Sequence, residues 1–538
     1  MSKLVVYKPK KSLIIPHNQE VLDNIPRSKA FQFAGKNLTQ VYHGEDEVAV
    51  LRELNIDAPA PIMTYYNWPL VKGRFPAYEH QKLTADFFTV TARGVCLNSM
   101  GMMKTESALY AADYLIKKGD IKKVLILCPL SCTQKVWGDA IFQSFPWLSP
   151  VIVYGSRLKR IKALEEDVQF YIANHEFVRM AVDKVERGSS FSFPMNEDFP
   201  MLKDIDAIIV DEYSVFRNGS TYNYKALETL LKEIDPKYFW ALTGTPCPTA
   251  PTDAWALARL LNPKNVDKYF GSFKRRVMLQ MGGGPFPKWI PRPGSHEVVS
   301  EVLQPAIRFK KEDCLDLPPL TFQNRECALS SEQKKHFKSM KNDMVMKHDE
   351  DEISAVNAAD RIIKIRQILC GSIKANEDEY TAMDCKARIN LVLELIEEAG
   401  HKVILIAPYK GILRMLKKEI GKHYSCDIVN GDVSKKKRDE IFTNFQEAKN
   451  PHVLLCHPKV MAHGLTLTAA NYVIMYAPID SNDLYEQLIE RINRPGQVNA
   501  MSIVHIGAHP IEWLIYEGLK TRKSFQSMAL SLYHEQIA

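Results

Sequence analysis

Lys104 and Thr105, within "NSMGMMKTES" (98–107), form the pair that commonly closes a phosphate-binding loop. An ammonium there offsets phosphate charge, and the adjacent hydroxyl can ligate Mg²⁺. The pair normally follows glycine, because bare backbone wraps closely around phosphate oxygens. Here Met103 precedes it. Alone, the stretch reads as a nucleotide site, an altered one, or a chance Lys-Thr. A second group, Asp211 and Glu212 in "IIVDEY" (208–213), follows an apolar run. One carboxylate can hold Mg²⁺ and the next can act as base toward water; an acidic turn at a strand end explains the hexapeptide equally well. Arg491 and Arg494 in "QLIERINRPGQ" (487–497) share one face if helical, with Gly496 ending the helix. Two guanidiniums facing a phosphate stabilise charge in phosphoryl transfer, although two solvated arginines on a surface helix are the commoner meaning of such a pair.

These groups need a scaffold, and the texture of the chain supplies one. From 66 to 265, short β-branched runs alternate with helical patterns: "VLILC" (124–128), "SPVIVYG" (149–155), "VQFYIAN" (168–174), "DAIIVDE" (206–212) and "KYFWALTGT" (237–245). Near-continuous apolar strands separated by helices predict a parallel sheet covered on both faces. Between 266 and 385 the strand signal fades. "MGGGPFPKWIPRPG" (281–294) reads as a loop or hinge, and a capping box at Ser330 and Gln333 opens a helical insert. The βα texture resumes over 386–538 with "KVILIAP", "CDIVNG", "HVLLC" and "NYVIMYAP". Residues 1–65 are mixed, with one amphipathic helix in 44–56. The fold class is therefore α/β, with two parallel-sheet lobes, a helical insert and a small N-terminal region. Two such lobes suggest a shared cleft.

Bulk properties exclude little. The 538 residues exceed one core's reach. Lys and Arg outnumber Asp and Glu by 70 to 63, a mild basic excess that permits an anionic partner. No apolar run approaches a membrane span. The ten cysteines form no C-x-x-C pair, so they read as reduced thiols of a cytoplasmic protein, or of the host cytoplasm if the source is viral.

The order of the motifs resembles the Swi/Snf-type branch of the superfamily two helicase-like ATPases, from about 76 to 510. "PAYEHQKLTADFF" (76–88) is similar to the adenine-contacting Gln segment, with Gln81 in the key place. "LILCPLSCTQKVW" (125–137), "YIANHEFVR" (171–179), "RFKKEDCLDLPPL" (308–320), "VNGDVSKKKRDEIFTNF" (429–445) and "MAHGLTLTAANYVI" (461–474) resemble further family segments. The closing "QLIERINRPGQ" matches at Gln487, Arg491, Arg494, Gly496 and Gln497. Four departures stand out. Asn98-Ser99 replaces an acidic pair, Met103 replaces glycine, Tyr213-Ser214 replaces Ala-His or Gly-His, and Thr466 replaces Asn.

The resemblance implies two RecA-like lobes with ATP and Mg²⁺ between them and duplex or branched DNA as partner. It places nucleotide contacts at Gln81, Ser99, Gly101, Met103, Lys104, Thr105, Asp211 and Gln487, with Mg²⁺ on Thr105 and Asp211. Lys104, Glu212, Arg491 and Arg494 are the implied catalytic groups. Ser131, Lys135, Asn174, Lys410 and Thr466 are the implied DNA contacts. The activity implied is translocation along DNA. A strand-separating or branch-migrating helicase is the alternative, and an ATP-holding DNA scaffold without turnover is a third reading.

Overall fold

The computed structural model describes residues 4–71, 75–187, 190–282, 288–342, 345–348, 351–354, 358–374, 380–461, 466–479 and 481–519. Parts of the expected segments at 281–294 and 461–474, and of the expected helical insert, lie outside these residues. The chain divides into two compact units, with the boundary at Cys314 and Leu315. The boundary falls inside the expected 266–385 insert, and residues before 66 belong to the first unit rather than standing apart.

The first unit is built on a seven-stranded sheet. Its order is Ala306–Ile307, Arg93–Cys96, Tyr238–Leu242, Ala207–Asp211, Val124–Cys128, Phe170–Asn174 and Pro150–Val153. Every pairing is parallel. Val124–Cys128 and Tyr238–Leu242 are buried at every residue, because helices cover both faces. Parallel strands all end on one side, so the loops leaving Cys96, Cys128, Asn174, Asp211 and Leu242 gather at one edge.

The N-terminal residues form a four-stranded antiparallel sheet in the order Val5–Tyr7, Ser12–Pro16, Lys36–Tyr42, Lys29–Phe33. Leu13, Ile15 and Val41 are buried on one face. This sheet corrects the reading of residues 1–65 as mixed. Its strands are short, and their polar alternation gives no long apolar run. The expected amphipathic helix is present as Glu45–Glu53.

The second unit carries a six-stranded parallel sheet: Leu320–Glu326, Met501–Gly507, Ala470–Met475, Lys402–Ile406, Val453–Cys456 and Cys426–Val429. The helices Ser331–Asn342 and Ala358–Cys370 are the expected insert helices, and Met340, Ile368 and Leu369 are buried between them. The capping box forms as read, Ser330 N–H donating to Gln333 Oε1 at 3.1 Å and Gln333 N–H to Ser330 Oγ at 3.1 Å. The expected loop at 281–294 needs correction. Met278–Met281 and Lys288–Pro291 pair as an antiparallel ribbon, so part of this stretch is strand, while 283–287 lie outside the described residues. Among the described residues, no helix is long and apolar enough to cross a membrane.

Candidate nucleotide-binding site

In the first unit, strand Arg93–Cys96 runs into the loop 97–103, and helix Lys104–Lys118 leaves it. Gly101 and Met103 adopt left-handed backbone, with φ of 77° and 51°. Such turns aim backbone N–H groups into an anion-binding concavity. The apolar anchor of the loop is Met102, fully buried, while Met103 stays half-buried. Lys104 is the first helical residue, and its Nζ donates to the carbonyls of Asn98 (3.1 Å) and Ser99 (3.4 Å). Among the described residues no carboxylate is bonded to it. Thr105, half-buried, is the next helical residue.

Asn98 explains one departure from the acidic pattern. Fully buried, it donates through Nδ2 to Thr84 Oγ1 (2.9 Å) and accepts from Phe309 N–H at Oδ1 (2.8 Å). An amide can do both at once without placing a charge in the core, and a carboxylate could not. Ser99 N–H donates to the Phe309 carbonyl at 3.1 Å, and Arg308 donates to the Leu97 carbonyl at 2.5 Å. The segment beginning at Arg308 therefore pins the back of the loop. The Thr243-Gly244-Thr245 turn packs so closely that a Cβ at Gly244 would meet Met100 Cγ at 3.0 Å.

At the end of Ala207–Asp211, Asp211 accepts from Trp137 Nε1–H (3.0 Å) and from Glu212 N–H (3.0 Å), and its carbonyl lies 2.7 Å from His175 Nε2. Burial pushes the Asp211 carboxyl up, opposed by Trp137, the Lys104 ammonium and the Glu212 N–H. Glu212 also sits in left-handed backbone, with φ of 50°. Tyr213, one of the departures from the resembled motif, is fully buried and donates to the Leu257 carbonyl at 2.7 Å. Gln81 is fully buried in helix Glu79–Val90. Its Oε1 accepts from Tyr78 N–H (3.0 Å), and its Nε2 has no hydrogen-bond partner among the described residues. A buried donor left over is costly unless something accepts from it.

Of the implied DNA contacts in this unit, Ser131 and Lys135 follow Val124–Cys128, with Lys135 exposed. Asn174 ends its strand buried, accepting from Arg160 at 3.1 Å. In the second unit, Lys410 begins helix Lys410–Ile420 and pairs with Asp432. Thr466 Oγ1 accepts from Arg494 at 3.0 Å, and Arg494 Nε–H donates to the Glu490 carbonyl at 3.0 Å. Gln487 is buried, and its Oε1 has no partner among the described residues.

The arginine pair corrects the sequence reading. The helix there is Asn482–Ile489, so Arg491 and Arg494 lie beyond it and Gly496 does not end it. The turns tighten to Arg491 N–H→Leu488 O and Ile492 N–H→Ile489 O. Pro495 disfavours helical backbone at Arg494. Arg491 is buried, and its carbonyl accepts from Leu467 N–H at 3.0 Å.

Residues 79–378 match the SNF2-related domain, and residues 387–496 match the helicase conserved C-terminal domain. The chain belongs to the SNF2-related family. Among similar proteins, a putative protein of Acyrthosiphon pisum secondary endosymbiont phage 1 is 24% identical, covering 80% of this chain and 93% of its own length. An uncharacterized ATP-dependent helicase of Mycoplasma genitalium is 23% identical over 77% of this chain, which spans only 38% of that protein. The TATA-binding protein-associated factor of Saccharomyces cerevisiae is also 23% identical, and this chain spans 25% of it. The solved Sulfolobus solfataricus SWI2/SNF2 ATPase core in complex with dsDNA is 20% identical, covering 86% of this chain and 95% of that one, with a TM-score of 0.39.

For this SNF2-related chain, the first unit gathers Lys104 and Thr105, at the start of a helix, and Asp211 and Glu212, at the end of a strand, at one sheet edge. Sequence reasoning missed Asn98, Trp137, His175 and Arg308 as supports. Trp137 and His175 lay inside segments quoted for their family likeness, but nothing in the linear pattern says that both bond to Asp211. Arg308 opened another such segment, 308–320, but nothing in the linear pattern says that it bonds to the Leu97 carbonyl.

Proposed function

We propose that the chain is a DNA-dependent ATPase that couples hydrolysis to movement along duplex DNA. The observation that carries the reading is the Nε2 of Gln81, buried and without a partner among the described residues, in the same unit as a helix-opening lysine bonded among them only to carbonyls. Both are groups that ATP would satisfy. With its Oε1 fixed by Tyr78, Gln81 donates from Nε2 to an acceptor on adenine. Lys104 swings from the Asn98 and Ser99 carbonyls to the β- and γ-phosphates, joined by N–H groups of the loop around Ser99, Gly101 and Met103. The Thr105 hydroxyl and the Asp211 carboxylate suit Mg²⁺, which takes one or two protein oxygens beside phosphate and water. When bound there, Mg²⁺ neutralises charge on the transferring phosphoryl group. Glu212 orients the attacking water and accepts its proton. The second unit contributes Gln487, Arg491 and Arg494, the arginines offsetting charge that grows as the bond to the leaving phosphate breaks. Ser131, Lys135, Asn174, Lys410 and Thr466 take DNA phosphates. Relatives named as ATP-dependent helicases support the helicase-like part of this reading.

A second reading, ATP binding without turnover, draws on one observation: Met103 holds a left-handed backbone that glycine adopts without strain. Phosphate release measured with and without duplex DNA separates the two. The first reading expects stimulation by DNA of any sequence. ATP bound but never hydrolysed would establish the second.

A further inference from the structure

Residues 1–43 hold seven Lys and Arg against two Asp and Glu, so this short segment carries +5 of the chain's net +7. Both acids, Glu20 and Asp23, lie on helix Gln19–Asn24 and not on the strands. The strand register sorts the sheet into two faces. Leu13, Ile15, Thr39 and Val41 are buried on one. On the other, Phe33 stands opposite Lys36, Phe31 opposite Leu38, Lys29 opposite Gln40, and Tyr42 opposite Ser12, which is itself opposite Tyr7. Residues directly opposite point the same way, and alternate residues along a strand do too. Tyr7, Phe31, Phe33 and Tyr42 therefore share one surface with Lys29 and Lys36. Phe33 is 69% exposed, Tyr42 43% and Tyr7 41%. Lys8, Lys10 and Lys11 are exposed beside Tyr7. Scattered exposed rings need no explanation, but four aligned on one lysine-bearing face form a patch.

We propose that this open face binds single-stranded DNA, its bases stacked on Phe33, Phe31, Tyr42 and Tyr7 and its phosphates paired with Lys29, Lys36 and the lysines at 8–11. Rings on a flat sheet reach the faces of unpaired bases, whereas a duplex hides those faces in its own stack. The lysines give the phosphates charge complements, and among the described residues neither Lys29 nor Lys36 is in an ion pair. The surface stands on its own observations, separate from the ATP site; only the choice of DNA over RNA rests on the function proposed above.

The test uses the full chain with fluorescent oligothymidine, a duplex of equal length, oligouridine and anionic vesicles. Phe33→Ala with Tyr42→Ala should weaken oligothymidine binding tenfold or more, given typical base-stacking contributions, and duplex binding less than twofold. Lys29→Ala with Lys36→Ala should lower the salt dependence for oligothymidine by a log–log slope of about 1.4. An unchanged melting temperature confirms that these exposed substitutions keep the fold. Parental oligothymidine affinity in the aromatic variant, equal loss on duplex, or binding of vesicles alone would overturn the surface. Tight oligouridine binding with weak oligothymidine binding would overturn the DNA assignment. Duplex-stimulated hydrolysis in the same variants reports separately on the ATPase reading.

Discussion

Two lysines begin helices just past parallel strands, Lys104 in the first unit and Lys410 in the second, and the molecule treats them differently. A cation at a helix N-terminus faces the positive end of the helix dipole, so each position needs a compensating anion. Lys410 has one built in: Asp432 bonds it, Arg414 approaches the other carboxylate oxygen at 3.6 Å, and the Lys410 hydrogen bond holds the Asp432 carboxyl below its usual range. Among the described residues Lys104 hydrogen-bonds only the Asn98 and Ser99 carbonyls, and the Asp211 carboxylate acts on it through charge without a hydrogen bond. On the function proposed above, the anion that would bond Lys104 directly is the one that a nucleotide brings. The second site is closed by a surface pair, and pairs so exposed are held weakly.

The largest effect should come from removing Lys104, to which no carboxylate is hydrogen-bonded among the described residues. Lys104→Ala should cut ATP hydrolysis about 100-fold or more, since a preorganised charge at the transferring phosphoryl is worth that much. Glu212→Gln should keep ATP binding and block turnover to a similar degree. Near-parental phosphate release in either variant would remove the basis for treating Lys104 as the ligand-dependent member of the two.

Next comes the loop that presents it. Met103→Val puts a β-branched residue at φ 51°, where such side chains are genuine outliers, and ATP affinity should fall about tenfold for roughly 1–3 kcal/mol of strain. Met103→Gly relieves the strain but adds unfolded-state freedom, so its affinity should stay within a few-fold of the parent. Equilibrium binding of an ATP analogue to both variants checks the pair. A glycine variant gaining activity many-fold would show the natural loop to be crippled.

Trp137→Phe keeps the ring and removes the N–H that Asp211 accepts. With one donor fewer, the half-buried carboxylate is less favoured as an anion. The Mg²⁺ concentration for half-maximal hydrolysis should rise several-fold, with ATP affinity nearly unchanged. The smallest effect belongs to the second lysine. Asp432→Asn should free Lys410 and raise duplex affinity less than threefold, while steepening its salt dependence by a log–log slope of up to about 0.9. No change in the salt dependence would show that Lys410 does not meet phosphate.

Most strands of both sheets were legible because burial on two faces writes itself as continuous apolar runs, as in "VLILC" and "VILIA". Arg93–Cys96 was missed because four residues, one of them charged, make too short a run. Leu320–Glu326 was missed because an edge strand half in water keeps polar residues. The chemistry-bearing residues were legible from type and order. Their supports were not, since Asn98 meets Phe309 across 211 positions and Trp137 meets Asp211 across 74. The Arg491–Arg494 spacing misled for a local reason: a three-residue interval means a shared face only while the helix continues, and Pro495 was the available warning.

The N-terminal region is anchored through buried charge, and this limits how the chain can be cut. Glu45 bonds Tyr114 Oη at 2.6 Å and pairs with Lys118, on the helix that Lys104 begins. Arg52 pairs with Asp86 at 2.6 Å, and Ala60 N–H donates to the same carboxylate at 2.7 Å, on the helix that carries Gln81. Trimming the chain to begin near residue 66 would leave Asp86 without either partner, and an unpaired buried charge destabilises by several kcal/mol. A truncated protein should therefore express poorly or aggregate, and loss of ATPase activity in it would say nothing about catalysis. For the same reason, an exchange of this region between relatives should succeed only if Glu45, Arg52 and their receiving residues travel together.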